Sequence, residues 1–301
     1  WLDARGGIYL LRQDQLADVD LTLLQSVARV VLDTEAGTLA QQLSRAQLEP
    51  EELPELTAVM APAAPDPAAG VPGPTEQLQF FNGLGGFSED GREYVIRLPG
   101  GELPPAPWSN VVANEQVGFL ATEGGLGSSW AINSGENRIT PWHNDPVTDP
   151  PADVAYLRDE ETAEVWSATP LPSSRGTPFE VRHGPGYTLW RQHSRGLRQE
   201  LEAFVAAEDP VKLVRLRVIN ESGRPRRLTV TYLADWVLGL DRSATQLHVV
   251  PSYDAVRSAL LATNRYNAEF GDMHAFLASN KSPHGVTTDR RECYGRHGDR
   301  S

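Results

Sequence analysis

Two runs decide the fold class: VKLVRLRVIN (Val211 to Asn220) and RRLTVTYLADW (Arg226 to Trp236). In an extended chain successive side chains point to opposite faces. Leu228, Val230, Tyr232, Ala234 and Trp236 therefore share one face, and Arg227, Thr229, Thr231 and Asp235 share the other. Val214, Leu216 and Val218 match them against Arg215 and Arg217. Glu221 to Pro225, with Ser222 and Gly223, supplies turn residues between the runs, so the pair is expected to be a hairpin with one dry and one wet face.

Working outward, the chain from Gln77 onward repeats the theme in shorter runs: LQFFN, REYVIRL, VGFLAT, EVWSA, FEVRH and YTLWRQHS. Each is rich in branched and aromatic residues, turn residues separate them, and no amphipathic helical pattern intervenes. The fold class that follows is mainly β, a large antiparallel β-sandwich over residues 77–280. Leu247 to Val250, Ala259 to Ala262 and Ala275 to Leu277 are expected to complete it. Residues 281–301 have no period and suit a connection to further chain.

The N-terminal part reads differently. Leu21, Leu24, Ala28 and Val31 recur at helical spacing, and Asp18 and Asp20 sit where carboxylates favour a helix N-terminus. Gly37 interrupts, and Thr38 with Gln41 forms a capping box for a second helix reaching about Leu48. Residues 1–57 are thus a helical segment. Between Ala58 and Thr75 lie five prolines in eighteen residues, a density that excludes helix and ladder. An Ala/Pro-rich linker over 58–76 is expected.

Composition narrows the partners. A net charge of −13 repels nucleic acid, and Arg224 to Arg227 is too short a basic run to offset it. The single cysteine, Cys293, forms no internal disulfide, which fits a reducing, cytoplasmic compartment. The chain holds no long apolar run, so no membrane contact by this segment is expected. It begins without an initiator methionine or signal peptide and is read as an excerpt from a longer polypeptide.

The richest stretch chemically runs from Trp108 to Pro151. It carries Trp108, Trp130 and Trp142, five asparagines (Asn110, Asn114, Asn133, Asn137 and Asn144) and one cation, Arg138. Neutral amides beside indole faces suit a neutral polyol, since hydroxyls take hydrogen bonds and a pyranose C–H face takes a flat apolar surface. The competing reading makes the tryptophans core and the asparagines turn formers. Asp145 and Asp149 stand out beside Trp142, although an Asp-Pro step commonly starts a turn.

Other motifs do not carry chemistry. Gly83 to Gly86 lacks a dinucleotide fingerprint, Gly124 to Ser129 has no P-loop lysine, and no Gly-x-Ser-x-Gly elbow occurs. The histidines are scattered, so no metal site is expected; no cofactor and no self-contained catalytic pair of carboxylates is expected either.

The run from Phe80 through Gly86 to Ile96 resembles the opening of the N-terminal β-sandwich, or supersandwich, of glycoside hydrolase family 94. Trp108-Ser-Asn110, the loop from Asn137 to Pro146, and Arg182-His183 through Tyr187 resemble three further motifs of that family in the same order. The wording from Ser134 to Trp142 is similar to the C-terminal part of cyclic β-1,2-glucan synthases. The resemblance implies a β-sandwich preceding an (α/α)6 barrel that holds the catalytic aspartate and uses inorganic phosphate as co-substrate. It implies a homodimer, a β-linked gluco-oligosaccharide as ligand, and a cytoplasmic part of an inner-membrane protein as context. Carried onto this chain, it makes Trp130, Asn133, Arg138, Trp142, Asn144 and Asp145 the expected sugar-facing residues. Arg138 has a second reading, bracing the loop through Glu136 or Asp145. For the whole chain the alternative is a purely structural, dimerising module with no sugar contact.

Overall fold

The computed structural model of the chain describes residues 2, 7–28, 30–46, 76–100, 102–174 and 176–294. The chain divides into two compact units, residues 1–56 and 57–301. The Ala/Pro-rich linker expected over 58–76 lies, apart from Glu76, outside the described residues.

The first unit contains helices α1 (Asp18–Val27) and α2 (Leu39–Ala46). Thr38 and Gln41 make the reciprocal bonds of a capping box at α2: the Thr38 N–H donates to Gln41 Oε1 at 3.0 Å and the Gln41 N–H to Thr38 Oγ1 at 3.3 Å. Helix α1 is shorter than its apolar period. Ala28 is already extended, at φ −68° and ψ 135°, so Val31 falls beyond the helix. No residue of α1 is buried, and three branched valines in the stretch from Val27 to Val31 favour extended backbone.

The second unit is mainly β, with fifteen strands in three antiparallel sheets among the described residues. The first sheet contains β1 (Gly85–Phe87), β2 (Tyr94–Leu98), β8 (Phe179–Gly184), β9 (Tyr187–Ser194), β10 (Leu197–Val205) and β11 (Lys212–Asn220), adjacent in that order. The second contains β3 (Asn110–Ala113), β4 (Val117–Ala121), β5 (Leu126–Ala131), β6 (Asp153–Asp159) and β12 (Leu228–Ala234), in the order β12-β6-β5-β4-β3. Short β7 (Val165–Ser167) also pairs with β6. Facing side chains of the two sheets form one core: Ile96, Phe179, Trp190 and Leu201 from the first meet Phe119, Leu126, Leu157 and Trp166 from the second. Both core indoles are fully buried, and each spends its N–H: Trp166 on Gln199 Oε1 at 3.0 Å, Trp190 on the Glu123 carbonyl at 3.0 Å.

Three sequence expectations are corrected here. The two decisive runs are not a hairpin: β11 pairs with β10 at the edge of the first sheet, and β12 pairs with β6 at the edge of the second. The segment between them is an arch from one layer to the other. It is steered by Arg226, whose buried guanidinium pairs with Asp159 of β6 and donates to the Arg195 carbonyl at 2.6 Å. The assigned faces hold for β11, where Val214, Leu216 and Val218 pack on the core; on β12, Val230 is half exposed. The late runs join neither of the two large sheets. They form a separate three-stranded sheet of β13 (Val250–Asp254), β14 (Ala259–Thr263) and β15 (Ala275–Ala278). The run LQFFN contributes only an isolated bridge, Gln79 to Phe87.

The outer face of the first sheet carries a ladder of opposite charges in register. Arg97, Glu180, Arg191, Glu200 and Arg217 stand opposite one another on β2, β8, β9, β10 and β11, with successive separations of 4.0, 3.6, 3.3 and 3.5 Å. Directly opposed unlike charges favour this register.

Candidate functional site

The loop expected to face sugar leaves the sandwich from β5. Trp130 is half-buried, opposite Gly118 of β4. A Cβ at Gly118 would lie 2.4 Å from Trp130 Cζ2, so the indole rests on bare backbone that only glycine provides. Asn133 then closes a turn: its Oδ1 accepts the N–H groups of Gly135 at 2.8 Å and Glu136 at 3.0 Å. Its side-chain oxygen is spent on the loop, as the turn-forming reading has it.

Arg138 braces the loop, but neither Glu136 nor Asp145 is its partner, which corrects the expected ion pairs. Its backbone bridges Trp130 on one side and Gly239 on the other. Its Nε donates to the Ser134 carbonyl at 3.2 Å and its Nη1 to the Leu240 carbonyl at 2.8 Å. Thus fixed, the guanidinium lies over the Trp142 ring, 5.3 Å from its centroid. Trp142 remains 52% exposed, so an indole held from one side stands open to solvent. Asn144 is exposed in the left-handed region, at φ +48°. Asp145 is a turn starter: its carboxylate accepts the Val147 N–H at 2.9 Å, the Thr148 N–H at 3.2 Å and the Thr148 hydroxyl at 2.6 Å. Those donors, the hydroxyl foremost, hold it below the usual carboxylate range. Of the six expected residues, Arg138 is thus brought together with Trp130 through the backbone and with Trp142 through its guanidinium, with exposed Asn144 two residues beyond Trp142.

The remaining motifs of the resemblance build the scaffold. The Asn110 side-chain amide reaches from the second sheet to the β8–β9 turn, within 3.1 Å of the Gly184 carbonyl, 2.9 Å of the Tyr187 carbonyl and 3.1 Å of Thr188 Oγ1. His183 lies between Trp108 and Thr188, with Nε2 2.9 Å from the Trp108 carbonyl and Nδ1 3.1 Å from Thr188 Oγ1. A neutral ring with its proton on Nε2 satisfies both partners, donating to the Trp108 carbonyl and accepting the Thr188 hydroxyl proton at Nδ1. Arg182 binds Glu180, Glu93 and Glu76 at 2.8, 2.7 and 3.0 Å.

Glu123 and Asp149, both lifted by burial, lie near each other beneath the Trp108 segment. The Glu123 carboxylate accepts the Trp108 N–H at 2.8 Å, and Asp149 accepts the Thr122 hydroxyl at 2.5 Å, so both face inward to protein donors. Among the described residues no three His, Cys, Asp or Glu side chains group as metal ligands. Among the described residues, one surface groove of about 580 Å3 lies at the β3–β4 turn and another of about 360 Å3 at residues 265–272; neither of these is lined by the 130–145 loop.

Fold and site define a two-sheet supersandwich module with an arginine-backed indole on one loop. The sequence profile described as "Glycosyl hydrolase 94, supersandwich domain" matches residues 92–301, and the chain belongs to that family. It is 37% identical to the cyclic beta-(1,2)-glucan synthase NdvB of Rhizobium meliloti (strain 1021) over 98% of this chain and 11% of that protein. It is 29% identical to N,N'-diacetylchitobiose phosphorylase of Vibrio furnissii over 57% of this chain and 21% of that protein. With solabiose phosphorylase of Paenibacillus borealis it shares 28% identity over 72% of this chain and 29% of that protein. The chain therefore spans less than a third of the length of each of these relatives. No helix among the described residues is long and apolar enough to cross a membrane.

Proposed function

We propose that this chain is the non-catalytic supersandwich portion of a larger glucan-processing enzyme, of the cyclic β-1,2-glucan synthase or β-glucoside phosphorylase type. In this reading the Arg138–Trp142 ledge contacts a β-linked gluco-oligosaccharide beside the catalytic barrel, and the sandwich also helps hold a homodimer together. The observation that carries the sugar contact is the half-exposed Trp142 indole backed by Arg138, whose guanidinium is itself anchored to the Leu240 carbonyl. A ring immobilised in advance loses little entropy when a pyranose stacks on it. The second reading, a scaffold without sugar contact, is favoured by the turn-forming use of Asn133 and Asp145. Trp142→Ala in a complete enzyme separates them. The expected outcome is a fall of about five- to tenfold in kcat/KM for oligoglucan, carried mainly by KM; an unchanged value leaves only the scaffold role.

A further inference from the structure

Near the loop, Gly239, which pairs with Arg138, faces Asn264 and Asn267. Between those asparagines Tyr266 stands 77% exposed, stacked on His248 with ring centroids 4.1 Å apart and planes 7° apart. One face of the phenol ring is thus backed, and the ring is presented flat. The turn beneath it is tied by side-chain hydrogen bonds. The buried Asn264 amide donates to the Leu238 carbonyl at 2.9 Å, and Asn267 Oδ1 accepts the N–H groups of Glu269 and Phe270, both at 3.1 Å. Beside the ring runs the groove of about 360 Å3, lined by Arg265, Asn267, Ala268, Glu269, Gly271 and Asp272. Among the described residues the side chains of Arg265, Glu269 and Asp272 make no hydrogen bond or ion pair, whereas the charges of the first sheet's outer face neutralise one another.

We propose that the turn 264–272 is a second saccharide-binding platform, with Tyr266 as stacking surface and Arg265, Glu269 and Asp272 as hydroxyl-binding groups for a β-linked gluco-oligosaccharide. A carboxylate accepts from two vicinal hydroxyls and a guanidinium donates to ring or hydroxyl oxygens, so three unspent groups lining a groove next in sequence to a flat ring answer a polyol. An anionic ligand meets two carboxylates there and a chain of net charge −13. The choice of glucan over another polyol rests on the function proposed above; the platform itself rests on the groove and the backed ring.

Saturation-transfer NMR and calorimetry on the full 301-residue chain, with a β-1,2-linked gluco-oligosaccharide as probe, test it in four forms: unaltered, Tyr266→Ala, Trp142→Ala, and Glu269→Gln with Asp272→Asn. Tyr266→Ala is expected to weaken binding about five- to tenfold. Glu269→Gln with Asp272→Asn is expected to weaken it while leaving the fold, followed by circular dichroism, unchanged. If only Trp142→Ala weakens binding, the platform is overturned and the Trp142 ledge stands. If only Tyr266→Ala does, the platform stands and the ledge falls. An absence of transfer to the unaltered chain overturns the platform, and so does a change of oligomeric state in Tyr266→Ala with sugar binding intact.

Discussion

Glu123 and His183 sit close to the same backbone segment and hold opposite preferences. Glu123 is 1% exposed; burial lifts its carboxyl to about 7 against the pull of the Trp108 N–H. His183 is driven by burial down to about 4, with the Trp108 carbonyl opposing the shift. From pH 4.5 to 7 the folded chain keeps a proton on Glu123 that the unfolded chain releases, so this group's contribution to stability is lost as pH rises. From pH 6.5 to 4 the unfolded chain binds a proton on His183 that the folded chain refuses, so that contribution is lost as pH falls. Each is worth up to about 3 kcal/mol, and in the overlapping window they offset. Urea unfolding across pH 4.5 to 8 is expected to show Glu123→Gln gaining stability relative to the parent as pH rises. His183→Gln gains relative to the parent as pH falls. Parallel curves for parent and variants would remove the argument. Composition gave no sign of these shifts, because burial of a single carboxyl depends on strand pairing far along the chain. Turn chemistry was more legible. Asp145 before proline starts a turn, as such steps do, while Arg138 found carbonyl partners, one of them 102 residues away, that no local spacing reveals.

At the scale of elements, alternation along β11 identified the core-facing residues but not the partner strand. A period of two says which side of a sheet a residue faces, and any strand of matching pattern satisfies it. What separates β11 from β12 is the buried pair Arg226–Asp159, with both side chains under a tenth exposed. Removing one partner strands a buried charge, so Arg226→Met is expected to cost about 3–5 kcal/mol in chemical denaturation. Restoring most of that loss with Asp159 also made apolar identifies the unpaired charge as the cause; no recovery would assign the cost to the bond with the Arg195 carbonyl. Strand β10 went unrecognised despite its alternation, since buried Gln199 stands among Leu197, Leu201 and Ala203 and breaks the apolar pattern. The third sheet was read as part of the sandwich because short apolar runs carry no mark of the sheet they join.

At the scale of the β unit, the two large sheets meet across one apolar core and are clipped at one end by Asn110 and His183. The motifs that link this chain to its family are mostly those clips, which explains why the resemblance fixed the fold more firmly than the sugar contacts. Two candidate sugar surfaces, at Trp142 and at Tyr266, lie on loops outside the strands. The layer-to-layer arch has an exposed tip at Gly223, φ +72°, where an added Cβ would touch nothing. Such a tip tolerates interruption. A short epitope spliced in after Gly223 is expected to leave the thermal midpoint within a few degrees of the parent's; a collapse would mean that continuity there is itself structural. If it holds, the chain can be tethered or labelled through this point while the Trp142 and Tyr266 loops stay unaltered.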